Sequence, residues 1–102
     1  MTQLYRILTN LTASDASRFA PARGAYVNIY FPASFMDSWE SQIKEFIEYY
    51  EYYFLEFDGD PELVNLNNKF EDKELEAIND AISSENPRFG VFHTYLRDEQ
   101  GN

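Results

Sequence analysis

Acidic side chains at alternate positions are the raw material of a cation site, and residues 58–62 read Asp-Gly-Asp-Pro-Glu. A calcium loop of the EF-hand type starts with such a pattern. It also needs Gly at its sixth position for a sharp turn and Glu at its twelfth for bidentate ligation. Those positions hold Leu63 and Lys69 here, and Pro61 stiffens the middle. The acids are better explained as a helix start: Asp60 as cap, Pro61 at the first helical position, Glu62 at the positive helix end.

His93 is the one histidine, and the chain has no cysteine. That composition removes disulfides, thiolate catalysis, zinc–thiolate sites and iron–sulfur clusters, and leaves no second histidine to complete a zinc site. No GxSxG elbow, P-loop or GxGxxG fingerprint occurs in the sequence. Paired glutamates could in principle hydrolyse a glycoside, but so small a domain leaves little room for a sugar cleft. The expectation is a non-enzyme, without catalytic residues, metal or cofactor.

The chemistry that stands out is recognition. Residues 45–57 read EFIEYYEYYFLEF, with four tyrosines, three phenylalanines and four glutamates in one stretch. Stepping residues by about 100° places Phe35, Met36, Trp39, Ile43, Phe46, Ile47, Tyr50, Tyr53, Phe54 and Phe57 within an arc of about 120°. This pattern predicts one helix over 34–57, capped by Ser34, stopped by Asp58-Gly59 and roughly 36 Å long at about 1.5 Å per residue. Tyr49, Tyr52 and Leu55 would then point outward among Glu45, Glu48, Glu51 and Glu56. Rigid phenols ringed by acids suit a protein interface: the rings bury area and the charges steer a basic partner.

The rest of the chain must support that rod. Residues 4–11 fit a helical stripe or a strand, and the cluster of Tyr5, Ile7 and Thr9 favours the strand. Residues 14–19 suggest one helical turn before Pro21 and Gly24 break the chain. Residues 25–31, AYVNIYF, predict a strand closed by Pro32. Beyond the rod, a short helix from Pro61 would turn Leu63, Leu66 and Phe70 to the core. A third helix over about 72–84 would use Leu75, Ile78, Ala81 and Ile82. Residues 89–97 predict a last strand, and 98–102 a loose tail. The sum is a single α+β domain over residues 1–102, with two or three antiparallel strands on one long and two shorter helices.

Charge narrows the partners. The net charge is −10, and it is uneven. Residues 1–31 carry +2, residues 32–86 carry −12, and residues 87–102 are neutral. A field of that sign repels nucleic acid and anionic membrane and attracts basic surfaces. No run of apolar residues is long enough to span a bilayer, no basic start leads into an apolar segment, and the lack of cysteine leans toward a reducing interior. A cytoplasmic setting is therefore expected.

These features predict a small acidic inhibitor of a basic protein, such as a nuclease or other nucleic-acid-binding protein, of the DNA-mimic anti-defence or toxin-immunity type. Glu40, Glu45, Glu48, Glu51, Glu56, Asp58 and Asp60 would stand in for phosphates, less densely than the roughly 1.7 Å per charge of duplex DNA. Tyr49, Tyr52 and Leu55 would complete the binding face. The alternative is a homo-oligomeric structural or regulatory module, such as a homodimer built on the tyrosine face or a sheet edge.

Overall fold

A computed structural model describes residues 3–13 and 24–95. Their order is β1 (Leu4–Ala13), β2 (Gly24–Pro32), a 3-10 turn (Ala33–Ser38), α1 (Trp39–Tyr49), β3 (Tyr52–Leu63), α2 (Asp72–Ser84) and β4 (Arg88–Tyr95). The strands form one sheet in the order β3-β1-β2-β4, with every neighbouring pair antiparallel. The expected turn over 14–19, the last two residues of the strand expected over 89–97 and the tail at 98–102 lie outside the described residues.

Period-two alternation sorts β1 and β2 onto two faces. Ile7, Leu11, Val27, Ile29 and Phe31 point to one face, where Ile43 and Ile47 of α1 close over them. Phe35, Met36 and Trp39 pack against the same cluster, so the apolar arc expected over 35–47 does face the core. Burying an isoleucine of this kind is worth about 1.5–3 kcal/mol. Leu4 and Tyr30 point to the other face and meet Val64 and the Ala77, Ile78 and Ala81 stripe of α2. The central strands are thus covered on both sides.

The class is α+β, but the sheet has four strands and there are two α-helices, not a long one with two shorter ones. The predicted rod over 34–57 is broken. A 3-10 turn precedes α1, and α1 ends at Tyr49. Glu51 then adopts a left-handed backbone with φ 65°, its N–H bonded to the Glu48 carbonyl at 2.9 Å. From Tyr52 onward the chain pairs with β1. Strand wins because a run of tyrosines and phenylalanines fits a pleated surface and supplies the backbone partners that β1 needs on this side.

The misleading spacing has a cause. Phe54 lies opposite Leu11 and Glu56 opposite Asn10, so Leu55 is an extra residue in the ladder. That bulge converts the two-residue period of a strand into the three-residue step from Phe54 to Phe57, which imitates a helix. Both rings pack on the core, 4.4 Å apart between centroids.

The helix expected from Pro61 is also replaced. Gly59, with φ 80°, Asp60 and Pro61 form a second irregularity between the Leu8–Asp58 and Arg6–Glu62 pairs. Leu63 and Leu66 are exposed, Val64 is buried in their place, and Phe70 packs against the second core cluster. In α2 the buried stripe is Ala77, Ile78 and Ala81, whereas Leu75 is exposed. Among the described residues, no helix is long and apolar enough to cross a membrane.

Candidate protein-interaction surface

The acids expected to bind a partner sit on two elements that meet at a turn. Glu40, Glu45, Glu48 and Tyr49 belong to α1, Glu51 lies in the turn, and Tyr52, Leu55, Glu56, Asp58 and Asp60 belong to β3. All are exposed except Tyr52. Glu40 stands in the first turn of α1, where a carboxylate also offsets the positive helix end. It lies about 12 Å along the axis from Glu48, so it belongs to the rim of any site centred on the turn.

Breaking the rod reassigns the tyrosines. Tyr49 remains on the outer side at 80% exposure. Tyr52 turns inward, with its ring 5.3 Å from Phe89 and 5.3 Å from Phe92, and so is a core-facing residue and not the expected contact. Tyr53, expected in the core, is 59% exposed. The switch follows from strand alternation: Tyr52 and Phe54 share one face and Tyr53 the other. Tyr50, also expected in the core, lies at the core's edge, half-exposed against Phe46 and Phe89. Leu55 is exposed because the bulge turns it away from the ladder.

Where α1 and β3 meet, they leave a surface groove of about 470 Å³ lined by Lys44, Glu48, Glu51, Tyr52, Tyr53 and Phe54. Lys44 and Glu48 are one helical turn apart on the same side of α1. The Lys44 ammonium lies over the Phe54 ring, 4.9 Å from its centroid. Tyr53, Phe54 and Lys44 were missed as candidates from sequence. Ending the helix at Tyr49 and applying alternation from Tyr52 would have exposed Tyr53.

The residues that first suggested a cation site are dispersed. Asp58 pairs across from Leu8, and Glu62 across from Arg6, with the Arg6–Glu62 ion pair at 3.9 Å. His93 is exposed on β4 opposite Tyr26. Among the described residues, no group of three histidines, aspartates or glutamates is arranged to hold a metal.

One carboxylate is set apart from this surface. Glu74 lies on the inner side of α2, in register with Ala77, Ile78 and Ala81. It accepts the Tyr30 hydroxyl at 2.6 Å and the Val91 backbone N–H. Burial pushes the Tyr30 phenol up, and the hydrogen bond and charge of Glu74 push it further, while Arg6 pulls the other way. Three elements, α2, β2 and β4, are joined at this point.

Comparison with protein-family models, curated proteins and solved structures returned no match.

Proposed function

We propose that this chain is a small acidic inhibitor that binds a basic, nucleic-acid-binding protein and covers the surface where phosphates would lie. The reading takes it to act without catalysis, in the cytoplasm, in the manner of a DNA-mimic anti-defence or toxin-immunity protein. The observation that carries it is the setting of the exposed acids. Glu45, Glu48, Glu56, Asp58 and Asp60 are exposed together with Tyr49, Tyr53 and Leu55 on a segment of net charge −12. Aromatic and leucine side chains supply area to bury, and the acids supply steering and selectivity.

The broken rod changes the proposed surface, which is now carried by a helix and an edge strand joined by a turn. Acids on the outermost strand also discourage a second copy from pairing there, since like charges would face one another. This favours a basic partner over self-association.

The test uses a purified basic partner obtained by capture on the immobilised chain. Binding should weaken steeply as salt rises. Glu48→Gln combined with Glu51→Gln should weaken it by about two- to tenfold, the range for two exposed charges. Tight binding indifferent to salt and to both changes would refute the reading. A stable dimer by light scattering that dissociates on Tyr49→Ala would favour the homo-oligomeric module instead.

A further inference from the structure

The groove between α1 and β3 has a chemistry of its own. Phe54 lines it from the face of β3 that α1 covers, Tyr53 borders it from the opposite face, and Glu48 and Glu51 also line it. The Phe54 ring already draws a cation, the chain's own Lys44 ammonium, to 4.9 Å. Ring faces attract cations through their quadrupole, and a nearby carboxylate adds charge-assisted hydrogen bonds. Guanidinium fits such a site better than ammonium: it is planar, stacks on rings and presents paired donors to a carboxylate.

We infer that this groove is an arginine-reading cleft, which seats a guanidinium of the basic partner against the Phe54 ring with Glu48 as its counter-charge. The inference rests on the proposed function, since it names the partner group that the acidic face would select. Lys44 is then an internal occupant that swings aside as the guanidinium enters. Its charge opposes entry, so the cleft is partly self-blocked until a competing cation of better geometry arrives.

The experiment titrates the full chain with an oligo-arginine peptide and with an oligo-lysine peptide of equal length, at matched salt. The wild-type chain should bind the arginine peptide more tightly. Phe54→Leu should reduce arginine binding by about three- to tenfold and leave lysine binding nearly unchanged. Lys44→Gln should raise arginine binding by about two- to fivefold. A second readout needs no variant: in wild-type protein, NMR signals of the Phe54 ring and of the Lys44 side chain should move with arginine peptide and not with lysine peptide. Equal, salt-sensitive binding of both peptides, unchanged in Phe54→Leu, would overturn the cleft and leave the acidic-surface reading standing. Binding of neither peptide would overturn both.

Discussion

Removing the Glu74 carboxylate should unfasten α2 from the sheet. The side chain accepts two hydrogen bonds, from the Tyr30 hydroxyl at 2.6 Å and from the Val91 backbone N–H. Tyr30 is only 1% exposed, so its hydroxyl has little recourse to water. A hydrogen bond to a charged group contributes about 1.5–3 kcal/mol, and a buried donor left alone costs about as much. Two such bonds put Glu74→Ala at about 3–6 kcal/mol, a large share of the roughly 5–15 kcal/mol available to a small domain. Glu74→Gln keeps the shape and one acceptor oxygen, and should cost about 1–2 kcal/mol. Urea unfolding followed by circular dichroism measures both as shifts in midpoint. A double-mutant cycle with Tyr30→Phe should return a coupling of about 1 kcal/mol or more, because the two groups share one bond. A Glu74→Ala variant within about 0.5 kcal/mol of wild type, the range of ordinary surface changes, would refute the reasoning.

Three related outcomes are expected. Alkali should expose Tyr30: its phenol is held above the ordinary value of 10.0 in the folded chain, so stability is intact below about pH 10. It then falls by about 1.4 kcal/mol per pH unit as the unfolded chain alone ionises, and Tyr30→Phe should lose this component in pH-dependent urea titrations. Gly90→Ala should destabilise about as much as Glu74→Ala, since a Cβ there would lie 2.5 Å from a Glu74 carboxylate oxygen and 2.9 Å from the Asn28 carbonyl; the double variant should fall well short of the sum in thermal melts. Glu85→Gly should stabilise by about 0.5–1 kcal/mol in the same melts, because Glu85 ends α2 in the left-handed region at φ 57° and glycine suits that position.

Much of the scaffold is legible in the residues. The β-branched and aromatic run of β2, the strand choice for residues 4–11, the α2 span and the last strand all agree with the structure. The core positions from Phe35 to Ile47 also agree, because a real helix covers most of them. The failure over residues 50–57 arises where one residue of irregularity changes a period. Leu55 adds a step to β3, and the aromatic run then satisfies a helical template that its backbone does not follow. Glu51, a residue with no preference for the left-handed region, occupies the position where glycine would have announced the end of α1. Gly59 does announce a break, but within a strand and not after a helix.

The candidate surface was legible in its charges and less so in its rings. Acids on an outer surface stay exposed whether helix or strand carries them, so Glu45, Glu48, Glu56 and Asp58 keep their place. Rings depend on the face, so Tyr52 and Tyr53 exchange roles once the strand replaces the helix. Glu74 could not be told from the other α2 acids by type. Its signal was position, one turn before Ala77 and Ile78 on the stripe that packs against the sheet.

The most direct measurement is the salt dependence of affinity for the captured basic partner, made by calorimetry on the wild type and on Glu48→Gln/Glu51→Gln. A linear fall of log affinity with log salt, shallower in the variant, is the predicted result. Identical slopes for the two proteins, or affinity unmoved by salt, would contradict a docking surface built from these carboxylates.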